Sequence, residues 1–219
     1  PAEQAQVLRT AARMKADRTA IQPLAGPQGV AIIFDKPTLR TQLSFTTGVA
    51  ELGGYPMVVD GNLAQIGTRE SVADVARVVG RQVSAIVWRT HGQDRLQEMA
   101  DHVDVPVVNA LTDEFHPCQI LADLLTVAEH KGSAAGRKVA YVGDAANNMA
   151  HSYLLGFATA GADIAGEGVT QGLGVGVVEV DLVGHAVETE GDRLGGVTAV
   201  DVIFEDDLNA LCHGGCLHS

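Results

Sequence analysis

Short apolar runs alternate with amphipathic segments along the first 160 or so residues of the chain. The runs predict five β-strands: GVAIIF, YPMVVD, VSAIVWRT, VPVVNA and KVAYVGDA. The first run is apolar throughout, as expected of a strand that is buried on both faces. The amphipathic segments predict helices. These include residues 1–18, which precede the first run, a segment from about Leu39 to Gly53, and HPCQILADLLTVAEHKG. In residues 1–18 the predicted apolar side consists of Val7, Leu8, Ala11, Ala12 and Met14.

Strands and helices that alternate at this spacing predict an α/β fold, a parallel sheet with helices on both faces. The segment KGSAAGRK, residues 131–138, is small and polar and lies between two periodic segments. We therefore predict two α/β domains, residues 1–132 and residues 138–219. The second is expected to be incomplete, because the periodicity weakens after about Ala165 and only VDVIFED predicts a further strand.

Composition narrows the possible functions. The chain has 219 residues, is 46% hydrophobic and carries a net charge of −12, which argues against binding to nucleic acid or an anionic membrane. No apolar run approaches the length of a membrane span, and no signal peptide is recognisable at the start. Three cysteines without a paired framework favour the cytoplasm. Any anion site on so acidic a chain must be local.

Polar residues with anion-binding chemistry follow several of the predicted strands. In FDKPTLRTQLSF, Thr38 is predicted near a helix N-cap, and Arg40 and Thr41 follow in the first turn. A helix N-terminus beside a planar guanidinium is suited to phosphate. The alternative is a capped helix whose arginine is solvated or paired in a salt bridge.

Four further residues are candidates for the same edge of the sheet. Arg89 follows a strand, and His116 precedes Pro117, which predicts the start of a helix and places Gln119 one turn on. Gln65 lies in a loop near a glycine. Taken singly, these residues could be a surface arginine, a cap or core histidine, and solvated amides. Together with Arg40 they suit an acyl phosphate that carries a carbamoyl group.

Five segments closely resemble the ornithine carbamoyltransferase family: FDKPTLRTQLSF, AQIGTRES, VWRTHGQ, DEFHPCQILADLLT and YVGDAANNMAHSYLLG. The resemblance runs in order to about residue 161. It implies that carbamoyl phosphate is bound by Thr38, Leu39, Arg40, Thr41, Gln65, Arg89, His116, Pro117, Cys118 and Gln119. It assigns catalytic roles to Arg40, Arg89 and His116, and ornithine binding to Asn148 and, as the nearest match, Asp206. Leu39 and Gln42 depart from the family pattern.

The resemblance implies transfer of a carbamoyl group from carbamoyl phosphate to the δ-amine of L-ornithine by a homotrimer, without metal or organic cofactor. The loop at Gln65 would reach a neighbouring subunit. Family segments expected after residue 165 are not recognisable, so we interpret the chain as truncated or frame-shifted. Two alternatives stay open: a carbamoyltransferase for another amine, or an inactive remnant that binds carbamoyl phosphate or forms a trimer. Cys212, His213, Cys216 and His218 match no standard zinc module, and no metal site is predicted.

Overall fold

The fold is seen in a computed structural model of the chain. It describes the backbone of residues 1–26, 28–170, 173–181, 185–190 and 201–204. Side chains are described within residues 1–164, apart from those of residues 27, 62, 63, 142 and 143. The described residues form two compact units. The first unit is Arg9–Cys118, and the second unit combines Pro1–Leu8 with Gln119–Ser219.

Seven helices and nine strands lie within the described residues. The helices are α1 (Ala2–Ala16), α2 (Arg40–Glu51), α3 (Gly61–Ala64), α4 (Val72–Val79), α5 (Gln93–Asp101), α6 (Pro117–Lys131) and α7 (Asn148–Thr159). The strands are β1 (Gly29–Phe34), β2 (Tyr55–Asp60), β3 (Ala85–Arg89), β4 (Val107–Leu111), β5 (Lys138–Gly143), β6 (Asp163–Thr170), β7 (Leu173–Asp181), β8 (His185–Glu190) and β9 (Asp201–Phe204). None of these helices is both long and apolar enough to cross a lipid bilayer.

The first unit contains a four-stranded sheet in the order β2-β1-β3-β4, and all its pairs are parallel. At the centre, Ile32 of β1 lies between Val58 of β2 and Val87 of β3. The predicted parallel sheet is therefore confirmed. Its four strands follow the four apolar runs of residues 29–111, because strands covered on both faces need apolar residues at every position.

Helices cover both faces of this sheet. Successive side chains of a strand point to opposite faces, so Val30, Ile32 and Phe34 join one buried cluster with Val49 of α2. The alternate residues of β1 join a second cluster with side chains from α4 and α5: Ala31, Ile33, Val72, Ala76, Leu96 and Met99. We call these the α2 face and the α5 face.

The N-cap of helix α2 lies one residue later in the sequence than predicted. Its N-cap is Leu39, which has helical backbone angles and makes no capping hydrogen bond through its side chain, so Thr38 does not cap the helix. The predicted end is confirmed, because Gly53 follows with a φ of +82°. Glycine adopts that left-handed conformation without steric cost, and it ends many helices in this way.

The second unit contains a five-stranded sheet in the order β8-β7-β6-β5-β9. Only the β5–β6 pair is parallel, and the other three pairs are antiparallel. Strands β6 to β8 occupy the segment whose weak periodicity predicted no strands. Backbone pairing forms a ladder without regular side-chain alternation, so periodicity alone missed it.

Helices α6 and α7 of the second unit pack closely together. Gly156 of α7 lies so near α6 that an added Cβ would clash with Ile120 Cγ2.

The predicted apolar side of helix α1 is not buried. The helix has no buried residue, and Val7 on that side is 47% exposed. Of that side, Leu8 alone packs against the core cluster of the second unit.

Candidate active site

The alternation of side chains along β1 and β3 continues past the strand ends and decides which helix each polar residue meets. Arg89 falls on the α2 face, like Val87 two residues before it. Thr90 follows Trp88 on the α5 face, and Asp35 follows Ile33 on that same face. The carboxyl ends of the two strands therefore send polar groups to two different helices.

On the α2 face, Arg89 meets the first turn of α2. Its Nη1 donates a hydrogen bond to Thr41 Oγ1 at 3.1 Å. The Nε atom of Arg89 is buried and has no hydrogen-bond partner among the described residues. Burial lowers the pKa of the Arg89 guanidinium, because desolvation disfavours its charged form. An anion placed here would satisfy both the charge and the unused donor.

The start of α2 supplies further donors beside this pair. The first amides of a helix have no partner within the helix and lie at the positive end of its dipole. Arg40 is exposed and makes no hydrogen bond or ion pair with a described residue. Leu39 is 71% exposed and can contribute only its backbone. Of the residues predicted to bind carbamoyl phosphate, Thr41 and Arg89 are in contact, and Arg40 is open to solvent.

On the α5 face, polar contacts around the partly buried Arg95 link the ends of β1 and β3. Its Nη1 lies 3.2 Å from Asp35 Oδ2 and donates to Thr90 Oγ1 at 3.1 Å. Thr90 also donates to Asp35 at 2.6 Å, and the Arg95 guanidinium lies 5.1 Å from the centre of the Trp88 ring. Sequence reasoning missed Arg95, since it lies in an amphipathic helix where an arginine is usually solvated.

Arg95 also holds the loop that carries Gln65. Its Nη2 donates to the carbonyl of Ile66 at 2.6 Å. Gln65 is exposed and has a φ of +50°, the one positive value at a non-glycine residue in the described part of the chain. A left-handed glutamine is strained and persists only where its surroundings hold it, and such strain is frequent at functional sites. Among the described residues, Gln65 makes no hydrogen bond to Arg89 or Thr41.

The turn before His116 is also fixed by buried polar groups. Thr112, fully buried, exchanges hydrogen bonds with the backbone of Phe115 and donates to Gln93 Oε1 at 2.9 Å. Helix α6 then begins at Pro117, as predicted, and places half-buried His116 immediately before it. Thr112 and Gln93 were not singled out in the sequence, although Gln93 ends the segment VWRTHGQ and Thr112 directly precedes the segment DEFHPCQILADLLT.

The Cys118 thiol points back to the sheet and donates to the carbonyl of Asn109 at 3.3 Å. Burial raises the pKa of this thiol, so it stays protonated. A Cys118 contact with a ligand would therefore use its backbone. Nearby, Lys36 and Asp113 form an ion pair that joins the loops after β1 and β4. The hydrogen bond from Lys36 lowers the pKa of the Asp113 carboxyl.

A cavity of about 280 Å³ opens beside the start of α2. Its lining residues come from the ends of β1 and β2, from the loop after β1 and from α2: Phe34, Lys36, Pro37, Thr38, Gln42, Val58, Val59 and Asp60. Thr38 is the one predicted site residue among them. The cavity therefore adjoins the predicted phosphate site without containing the Arg89–Thr41 pair.

In the second unit, Gln119 lies on the first turns of α6. Its Nε2 donates to Asp123 Oδ1 at 3.0 Å, and Tyr153 of α7 donates to Asp123 Oδ2 at 2.6 Å. Burial and, secondly, the hydrogen bond to Asp123 strongly raise the pKa of the Tyr153 hydroxyl. Asp123 was not singled out in the sequence; its place four residues after Gln119 was the available signal.

Asn148 is the first residue of α7, and its neighbour Asn147 caps that helix. The Asn147 side chain accepts from the amides of Met149 and Ala150. Capping therefore occupies the Asn147 side chain, and the contact of Asn148 with ornithine stays a prediction. Asp206 and the residues from Cys212 to His218 lie outside the described residues.

The class of protein follows from a family match. Residues 1–129 match the family described as aspartate/ornithine carbamoyltransferase, carbamoyl-P binding domain. The match covers more than half of the chain. The chain belongs to the aspartate/ornithine carbamoyltransferase family.

Several individual relatives are ornithine carbamoyltransferases. That of Clavibacter sepedonicus is 50% identical over 212 residues, which cover 94% of this chain and 69% of the relative. That of Bifidobacterium longum subsp. infantis is 59% identical over 165 residues, 74% of this chain and 51% of the relative. The solved structure from Pyrococcus furiosus has a TM-score of 0.71 at 38% identity, covering 75% of this chain and 53% of that one.

The chain spans about half the length of the Bifidobacterium and Pyrococcus proteins. Similarity to the Clavibacter protein continues past residue 165, because its match includes 94% of the chain.

Proposed function

We propose that this chain is a carbamoyltransferase that moves the carbamoyl group of carbamoyl phosphate to the δ-amine of L-ornithine. The neutral amine attacks the carbamoyl carbon, the bond from that carbon to the phosphate oxygen breaks, one amine proton passes to the departing phosphate, and L-citrulline and hydrogen phosphate leave. The step belongs to arginine biosynthesis or to the urea cycle. Residues 1–132 form the carbamoyl-phosphate domain in this proposal, and residues 138–219 form part of the ornithine domain.

The contact between Arg89 and Thr41 carries the proposal. It joins a half-buried guanidinium, with one donor unused, to a helix start that offers unpaired amides. A dianionic phosphate with a neighbouring carbonyl oxygen can use both sets of donors at once. The two residues lie 48 positions apart in the sequence, and their contact supports the proposal.

Each predicted residue has a role in the reaction. Arg40, Thr41 and the amides at Thr38 and Leu39 hold the phosphate, and Gln65 reaches the site of a neighbouring subunit in the trimer. Arg89 and His116 stabilise the oxyanion as the amine attacks, since donors fixed in advance are most effective where charge develops. Gln119 binds the carbamoyl nitrogen, with Pro117 and Cys118 shaping the helix start. Asn148 and Asp206 bind ornithine.

A binding measurement and a product assay test this proposal together. Calorimetry with carbamoyl phosphate should give heat with the wild-type chain and none with Arg40→Ala. Arg81→Ala is the matched control, because Arg81 is also exposed but precedes β3 at the opposite end of the strands. Citrulline formed from ornithine and carbamoyl phosphate should follow the same order. Equal binding by wild type and Arg40→Ala would contradict the phosphate role.

A chain that binds carbamoyl phosphate and forms no citrulline would be the binding remnant considered above. Formation of a carbamoylated product with another amine, and none with ornithine, would instead identify a different acceptor. Product analysis with a panel of diamines and amino acids separates these results.

The proposal includes a homotrimer in the cytoplasm. Apolar side chains of α2 and β2 remain exposed in the single chain, namely Leu39, Leu43, Tyr55 and Val58. Such a patch is typical of a surface covered by another subunit. Light scattering should give three times the chain mass of 22.8 kDa. Leu43→Glu should reduce that mass, whereas the exposed but separate Leu155→Glu should not.

A further inference from the structure

The side chain of Asp123 holds two partners, one on each oxygen. Gln119 Nε2 donates to Oδ1 from one turn earlier on α6, and the Tyr153 hydroxyl donates to Oδ2 from α7. Both contacts lie within the second unit.

The chemistry of these groups fixes the orientation of the Gln119 amide. An ionised carboxylate accepts hydrogen bonds and donates none, so Gln119 must turn its NH₂ group towards Asp123. Its Oε1 atom then points away and accepts no hydrogen bond from a described residue. Whatever ligand meets Gln119 consequently meets an acceptor.

Tyr153 keeps Asp123 in place. The tyrosine is 6% exposed, and its ring packs at 5.5 Å from both Tyr141 and Phe157. The close approach of α7 to α6 at Gly156 brings its hydroxyl within reach of Asp123. A tyrosine held on both sides has little freedom to release the carboxylate.

We propose that Asp123, held by Tyr153, is a positioning residue that makes Gln119 select a ligand NH₂ group over a methyl group. The inference rests on the proposed function, in which Gln119 meets the carbamoyl nitrogen. It identifies the basis for discrimination between carbamoyl phosphate and acetyl phosphate, which differ in having NH₂ or CH₃ at one position. An acceptor gains a hydrogen bond from the first and is left unpaired by the second.

Asp123→Asn tests the inference with little change in shape. The new side chain offers its own NH₂, towards which Gln119 can turn its oxygen, so the fixed orientation is lost. Asp101→Asn is the matched control: Gln97 Nε2 donates to Asp101 Oδ1 at 2.8 Å with the same four-residue spacing on α5. Calorimetry with the full chain would measure the affinities of carbamoyl phosphate and acetyl phosphate for each variant.

The wild-type chain should prefer carbamoyl phosphate by about tenfold or more, since a polar group left unpaired penalises the analogue. Asp123→Asn should lower that ratio about fivefold, by weakening carbamoyl phosphate more than acetyl phosphate. Asp101→Asn should leave both affinities unchanged. Tyr153→Phe keeps the ring packing and should lower the ratio by a smaller factor.

Three results would overturn the inference. Equal losses for both ligands in Asp123→Asn would mean that Asp123 only supports the fold. An unchanged ratio in a folded Asp123→Asn, or in Tyr153→Phe if the first variant does not fold, would remove the positioning role while the proposed function stands. Failure of the wild-type chain to bind carbamoyl phosphate would refute the proposed function and this inference with it.

Discussion

Replacing Arg89 should separate ligand binding from folding. Arg89→Met keeps an unbranched side chain of similar length but removes the guanidinium. In the structure that group makes one side-chain hydrogen bond, to Thr41, and leaves its buried Nε atom without a described partner. The Arg89 guanidinium therefore contributes little to the stability of the free protein and retains a donor that can bind an anion.

The magnitudes follow from these contacts. Loss of the bond to Thr41 should cost about 1 kcal/mol of unfolding free energy, and removal of a buried unpaired donor should return about 1–3 kcal/mol. The stability of Arg89→Met should therefore equal or exceed that of the wild type. Loss of a preorganised charged donor should cost about 3 kcal/mol in ligand binding or transition-state stabilisation, which corresponds to a factor of about 100.

Two measurements check this prediction: calorimetry with carbamoyl phosphate, and urea unfolding of the unliganded chain. Arg77→Met is the control, because Arg77 is exposed and pairs with Asp74 on the surface at 2.8 Å. It should bind like the wild type. The reasoning would fail if Arg89→Met bound carbamoyl phosphate normally, or if it unfolded more easily by several kcal/mol.

Three other changes have expected outcomes. Arg95→Ala should lower the free energy of unfolding by about 3 kcal/mol in urea titrations, because it leaves the 10% exposed Asp35 carboxylate without its cation, and Arg95→Lys should recover part of the loss. Gly156→Ala should cost about 1–3 kcal/mol by forcing α6 and α7 apart, and an unchanged melting temperature would contradict the close packing. The Lys36–Asp113 pair should stabilise the fold by less than about 1 kcal/mol, since Asp113 is largely exposed. Its carboxyl pKa is lowered in the folded state, so the stability difference between wild type and Asp113→Asn should be present at neutral pH and vanish as the pH falls through that lowered value.

The sequence was sufficient for the first sheet because both covering layers leave a mark on the strands. An apolar run such as GVAIIF has no solvated side, and Gly53 and Pro117 mark helix boundaries that the structure confirms. The antiparallel strands β6 to β8 left no such mark. Their pairing depends on backbone groups that every residue carries, so composition and periodicity did not reveal them.

The candidate site divides in the same way. The positions of Arg40, Arg89 and His116 at the ends of elements were predicted, because each lies beside a recognisable strand end or helix start, and their roles in a site stay predictions. The residues that hold these element ends in place were not predicted. Arg95 and Tyr153 lie in helices with ordinary surroundings, and each becomes recognisable when a partner distant in sequence, Asp35 or Asp123, is seen beside it.

The alternation in β1 and β3 has a consequence for how these loops can change during evolution. Two residues removed from a strand keep every later side chain on its own face and withdraw the loop by roughly 7 Å. One residue removed would send Arg89 towards α5 and Thr90 towards α2, exchanging an anion donor for a hydroxyl. Insertions or deletions of an even number of residues in these strands should therefore be tolerated, whereas those of an odd number should disrupt the site.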